Sequence, residues 1–250
     1  MSTETLPLPA VATQAESPSA PPQSVAVGYG ITAGDVAARL GVPASRIVLR
    51  PIPGTATRED WIRCVETKSP LCELIDGTLV EKAMGASESR WASVLIGLLE
   101  QAEARLGELR GTDELIYEII SGDGPVDSGE NGRLPDVSVI DAAAWDVAAR
   151  KPAAPTPILA VEVLSPSNTK AEMNQKRTEY FAAGVQELWV LDPTLRQVEV
   201  WTAVDTMTLI PPQEAIDASR CFPGLMIPVE SWLSRRLSRD AKTLLEPMTA

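Results

Sequence analysis

The sequence predicts a mixed α/β (α+β) fold in which a mixed central sheet is packed between helices. Short strand-like runs alternate with amphipathic helical stretches along most of the chain. Two of the runs, "PILAVEVL" at 157–164 and "ELWVLD" at 187–192, are separated by a helical segment long enough to make a parallel crossover. A third pair of runs flanks Asp76-Gly77, the strongest short-range signal for an antiparallel hairpin.

The elements follow in order. Residues 1–27 are rich in Pro, Ser and Ala and read as a disordered tail, with 28–53 as an N-terminal elaboration and 54–250 as the main domain. Within the elaboration, Thr32 and Asp35 have capping-box spacing and Gly41 a helix-ending position, so a short helix precedes a strand at 46–50. Thr57 and Asp60 open a second helix through "REDWIRCVE", and the hairpin "LCELIDGTLVEK" follows. Trp91, Ala92, Leu95, Leu98, Leu99, Ala102 and Leu106 recur at helical spacing, which predicts a long amphipathic helix over 88–106. Strands are expected at 114–120, 135–140, 157–164, 187–192 and 197–202, with a loop at 121–133. A helix opened by Thr169 and Glu172 ends at Gly184, and a last helix lies near "VESWLSRRLSRDAKTLLE".

Composition narrows the chemistry. The 250 residues contain no histidine. This excludes Ser-His-Asp and Cys-His catalysis and the histidine-ligated zinc enzymes, and leaves carboxylates, Lys, Tyr or an oxygen-ligated metal. Cys64, Cys72 and Cys221 form no CxxC pair and read as reduced thiols of a cytoplasmic protein. No apolar run approaches the roughly 20 residues needed to span a bilayer, so no membrane partner is expected. A net charge of -12 argues against non-specific adhesion to nucleic acid over the whole surface, yet leaves room for a local cationic groove. Arg90, Arg133, Lys170, Arg177 and the run Arg235, Arg236, Arg239 are the candidates for one.

Several charges sit where a core residue belongs. Glu162 shares a strand face with Ala160 and Leu164, and Glu73 shares one with Leu71 and Ile75. Asp136 opens a third strand after Pro135. An isolated buried carboxylate costs several kcal/mol, on the order given by ion desolvation, and three of them cannot crowd together unless a cation compensates. Hard oxygen ligands of this kind suit Mg2+ or Mn2+. The helix after Glu162 adds a positive group, because Met173 and Tyr180 define a stripe with Lys176 and Arg177 between them. Periodicity alone leaves open which of the two faces the sheet. Duller roles stand beside each reading: Glu172 and Lys176 also make an i,i+4 helix pair, and Ser165, Ser167 and Asn168 cap and turn the chain. A carboxylate-pair glycosidase is disfavoured by the aliphatic surroundings of Glu162.

With these residues in view, the chain resembles the Uma-two family of restriction-endonuclease-like proteins, a branch of the PD-(D/E)XK nuclease superfamily. The resemblance runs from about Gly54 to Trp232. It rests on "ELIDGTLVEK", "LPDVSVI", "VEVLSPSNT", "KRTEYFAAGVQELWVLDP" and "FPGL". It implies a restriction-endonuclease-like fold and a Mg2+- or Mn2+-dependent endonuclease acting on DNA, with a homodimer as the expected assembly. The implied metal ligands are Asp136, Glu162 and the carbonyl of Val163, with Glu73 as a further acid. The superfamily places its lysine two residues after the glutamate, where this chain has Leu164, so the resemblance implies that Lys176 takes its role. Many relatives carry a histidine near the start of the long helix, where this chain offers Glu88. Glu88, Ser165 and Tyr180 are accessory candidates. The missing ExK lysine and the acidic surface also suit a second reading, a catalytically inactive nuclease-fold module that binds protein or nucleic acid.

Overall fold

The structure is a computed structural model that describes residues 30–67, 70–83, 85–106, 109–112, 117–119, 131–141 and 156–234. The expected tail at 1–27 lies outside the described residues.

Helix α1 (Ala33–Leu40) begins at the predicted Thr32–Asp35 capping box and ends at Gly41 in the left-handed region. The expected strand at 46–50 does not form. Residues Ala44–Arg46 make a 3-10 turn, and the pairing beside β2 is limited to a bridge from Ile47 to Val80 and a bond from the Val48 amide to the Leu79 carbonyl at 2.9 Å. The turn takes up the first residue of the expected strand, and the Arg46 guanidinium reaches inward to the Glu81 carbonyl and to Glu172. Helix α2 spans Arg58–Thr67.

Strands β1 (Cys72–Ile75) and β2 (Thr78–Glu81) form the predicted hairpin. Asp76 and Gly77 both have positive φ, 46° and 64°, as a two-residue hairpin turn with the right twist requires. Helix α3 runs over Ala86–Leu106, followed by β3 (Leu109–Thr112) and β4 (Tyr117–Ile119). The expected strand at 114–120 is described only over the last of these. Part of the expected loop at 121–133 is instead a strand, β5 (Asn131–Arg133), which pairs with β1 and β4 in the middle of a four-stranded antiparallel sheet ordered β2-β1-β5-β4.

The second sheet has six strands: β3, β6 (Val137–Asp141), β7 (Leu159–Val163), β8 (Glu187–Asp192), β9 (Gln197–Ala203) and β10 (Thr206–Ile210). Its order is β10-β9-β8-β7-β6-β3. Only β7 and β8 pair in parallel, joined by the expected crossover helix α4 (Lys170–Ala182). The sheet is therefore mixed. A small hairpin, β11 (Ala215–Asp217) and β12 (Met226–Pro228), leads into α5 (Val229–Ser234), and the rest of the predicted last helix lies outside the described residues.

Strand alternation sends the two faces of the large sheet to different partners. Val137, Val139, Val161, Val163, Trp189 and Leu191 point to the α3 side and join Ala92, Leu95, Leu99 and Trp232 in the main core. Ala160, Leu188 and Val190 point the other way and pack under Tyr180 of α4. Glu162 has the parity of Ala160, so it projects from the face that α4 covers.

Candidate active site

Asp136 lies where the chain passes from the small sheet into the large one, three residues after β5 and directly before β6. Its amide donates to the Val161 carbonyl at 2.9 Å. The β6–β7 register pairs Val137 with Val161 and Ser138 with Ala160. One step further along the same register, Asp136 stands opposite Glu162, on the same face of the sheet. Antiparallel neighbours in this position lie close enough for their side chains to interact directly.

Glu162 is held from above by α4. Lys176 Nζ donates to both of its carboxylate oxygens at 3.0 Å, and the Tyr180 hydroxyl donates to Oε1 at 2.6 Å. Lys176 also reaches Glu73 Oε1 of β1 at 2.9 Å. One ammonium thus ties together acids from the two sheets. The choice that periodicity left open falls to Lys176. Arg177 turns aside, its guanidinium 3.9 Å from the centroid of the Trp201 ring, into a cavity of about 470 Å³ between α4 and strands β8 and β9.

The charged cluster extends beyond the residues the sequence singled out. Arg133 of β5 is fully buried and donates to Glu73 Oε2 at 2.9 Å and to Glu179 Oε2 at 2.6 Å. It is therefore a buried cross-link and not part of a cationic groove, which corrects the expectation for this residue. Asn131 and Gln175 each donate to Glu179 Oε1 at 2.9 Å. Lys82, just past β2, places its Nζ 2.8 Å from Asp136 Oδ1, while the Val163 amide donates to Asp136 Oδ2 at 2.6 Å. Further along α4, Glu172 is gripped by Arg46 through two contacts of 2.9 Å. Thr169 Oγ1 donates to the Gly41 carbonyl.

Burial pushes the Glu162 carboxyl up. The Lys176 ammonium pulls it back, Asp136 and Glu73 push it further, and it comes to rest at about 7. Burial also raises Glu73, but Lys176 and Arg133 together outweigh that and hold it down at about 2. Lys176 is disfavoured as a cation by burial, yet Glu162 and Glu73 more than offset this and raise it. Tyr180 is driven well above the ordinary phenol range by burial and by the adjacent Glu162 charge, so its hydroxyl is a proton donor at neutral pH.

The accessory candidates fall apart from one another. Tyr180 contacts Glu162 directly. Ser165 closes the turn into α4, where its amide and hydroxyl both donate to Asn168 Oδ1 at 2.9 and 3.1 Å. Glu88 is buried in the first turn of α3 with its carboxylate folded over Gly85, and among the described residues no hydrogen bond or ion pair joins it to Asp136 or Glu162. Lys82, Glu179 and Arg46 were missed by sequence reasoning. For Lys82 a signal existed, because it shares strand parity with Val80, whose side chain is fully buried.

The fold, a mixed sheet with α3 on one face and α4 on the other, defines a protein of the restriction-endonuclease-like class. A crystal structure described as "a putative nuclease belonging to DUF820", from Anabaena variabilis, is similar over 66% of this chain and 91% of that chain, with a TM-score of 0.56 and 18% identity. The family model of Uma2, "Putative restriction endonuclease", matches residues 59–230, and the chain belongs to that family. No curated protein matches it.

Proposed function

We propose that the chain is a divalent-metal-dependent endonuclease that hydrolyses DNA phosphodiester bonds, with Asp136, Glu162, Lys176 and Glu73 as its working residues. The observation that carries this reading is the Lys176 ammonium, buried between Glu73 and Glu162, the latter standing opposite Asp136 on the neighbouring strand. The donor set fits Mg2+ or Mn2+. All the side-chain ligands are hard oxygens, and Asp136 Oδ1 is buried without accepting a hydrogen bond of normal geometry. Mg2+ also keeps several of its own waters and needs only one or two carboxylates. Among the described residues no group of three or more Asp, Glu, Cys or His side chains is placed to hold an ion, so the Val163 carbonyl and water would have to complete the set.

Asp136 and Glu162, with the carbonyl of Val163, would hold the ion, and Glu73 would support its water shell. The bound ion would lower the pKa of a water and offset charge developing on the phosphorus centre. Lys176 keeps the Glu162 carboxylate aimed and supplies a fixed positive charge next to the reacting phosphate. Tyr180 donates to Glu162 Oε1, which leaves Oε2 the less encumbered of the two oxygens. A cytoplasmic homodimer cutting both strands of a duplex suits this activity, because a two-fold axis presents one site to each strand.

A second reading has its own support. Glu73, Asp136, Glu162 and Glu179 already face Lys82, Arg133 and Lys176, so most of the acid charge is compensated with no metal at all. A nuclease-fold binding module would look like this. Incubation of the full chain with duplex and single-stranded DNA in Mg2+ or Mn2+ separates the two. The endonuclease reading expects cleavage that Asp136→Ala abolishes and that Lys176→Met lowers by about 10²-fold. No cleavage with either ion, together with calorimetry that detects no metal binding sensitive to Asp136→Ala, would leave the binding module.

A further inference from the structure

Among the described residues of the cluster, Lys82 is the buried cation whose whole charged group lacks a hydrogen bond of normal geometry, whereas Arg133 leaves only Nη2 without a partner and spends Nε and Nη1 on two acids. Lys176 has three carboxylate oxygens around its Nζ, and Arg133 is bound by two acids. The Lys82 ammonium, by contrast, is almost fully buried against a single oxygen, Asp136 Oδ1 at 2.8 Å, and neither atom makes a hydrogen bond of normal geometry with the described residues. An ammonium carries three N–H donors. One left so incompletely used in the interior calls for an explanation such as a functional role or an ion that takes its place.

The surroundings say which. Asp136 Oδ2 is already committed to the Val163 amide at 2.6 Å, so Oδ1 is the oxygen that Asp136 has left to offer an incoming cation. That oxygen is the one Lys82 occupies. The Lys82 backbone is anchored, its amide donating to the Leu71 carbonyl at 2.8 Å, but Asp136 is the acid its ammonium directly touches, and the charge of Lys82 reaches Glu162 and Glu73 only at longer range. Two cations cannot share one carboxylate oxygen without strong mutual repulsion.

We propose that Lys82 is a displaceable counter-ion. It holds the divalent-cation position on Asp136 while the site is metal-free and yields it when the ion arrives, so that Lys82 sets how tightly the site binds metal. This rests on the metal-dependent reading above and adds to it a built-in competitor supplied by the β1–β2 hairpin. Lys176 does not act in this way, because its three carboxylate contacts lock it in place. Lys82 is a positioning residue: it acts through Asp136.

The test is calorimetric titration of the full chain with MnCl2, which reads binding independently of any cleavage. Lys82→Met keeps the apolar stem and removes the charge, and it should bind Mn2+ about tenfold more tightly than wild type or better. Lys82→Arg retains the charge and should stay within about threefold of wild type. If Lys82→Met fails to give a cooperative thermal transition, Lys82→Gln is read in its place. Unchanged or weaker Mn2+ binding by the neutral variant, with wild-type binding still abolished by Asp136→Ala, overturns the counter-ion role and leaves the metal site standing. Wild-type binding that Asp136→Ala does not alter, or no binding by any of the proteins, overturns the metal reading and the counter-ion role with it.

Discussion

Replacing Glu162 with Gln should remove most of the pH dependence of stability between pH 5 and pH 8 in the metal-free protein. The Glu162 carboxyl is held at about 7 against an ordinary value of 4.5. Over the window between these values the folded chain retains a proton that the unfolded chain has released. Stability therefore falls as pH rises, and the loss is complete above the folded value. At about 1.4 kcal/mol per pH unit, the cost at pH 8 relative to pH 5 is about 3 kcal/mol. Glu162 is fully buried, so solvent screening does not reduce this figure. The chain has no histidine, so no imidazole titrates across the same window. Glu187, raised mainly by burial although Trp189 and Arg220 oppose it, adds a residual slope of the same sign. Urea unfolding in EDTA at the two pH values measures the effect in wild type and in Glu162→Gln. If the variant keeps the full wild-type difference, the burial and charge argument for Glu162 is wrong. Glu73 has the opposite sign: held down at about 2, it contributes stability above 4.5 that is lost as pH falls towards 2.

Arg46→Ala should destabilise the protein by about 3–5 kcal/mol, because it leaves Glu172 buried without its guanidinium. The double variant Arg46→Met, Glu172→Leu should recover most of that loss in urea unfolding. Gly132→Ala should cost about 1–3 kcal/mol, since a Cβ on β5 would run into the face of the Trp61 ring. Chemical denaturation followed by tryptophan fluorescence would register both the loss and the displaced indole.

Much of the large sheet was legible because its strands are apolar and alternate, and because capping boxes at Thr32 and Thr169 and the Asp76-Gly77 turn leave local signatures. Glu162 was legible for the same reason in reverse, as a charge interrupting a run of Ala, Val and Leu. The small sheet was harder to read. Asn131, Gly132 and Arg133 carry no hydrophobic signal, yet all three are buried in the middle of that sheet. They reach the interior because their polar groups find partners on α4 and β1, and such partnerships between distant segments leave no period in the sequence. The same limit hid Arg46 and Glu179. On α4 the inward stripe is Glu172, Lys176, Glu179 and Tyr180, a line of charges that a search for apolar periodicity reads as a solvated face. Met173, which periodicity placed on the inward stripe, is half-buried at its edge, packed against the apolar cluster of Tyr180 and also lining the Arg177 cavity.

Arg133 touches Glu73 and Glu179, Glu73 touches Lys176, and Lys176 touches Glu162, so that a single file of alternating charges threads from one sheet to the other. Each end of the file hangs on one cation: without Arg133, Glu179 keeps only the neutral amides of Asn131 and Gln175, and without Lys176, Glu162 keeps only the Tyr180 hydroxyl among its direct partners. Descendants of this sequence should therefore alter these positions in concert: a lineage in which position 133 has become uncharged should also have surrendered the carboxylate at 179, while the middle acid at 73, shared by two cations that each keep another partner, should be the freer to change.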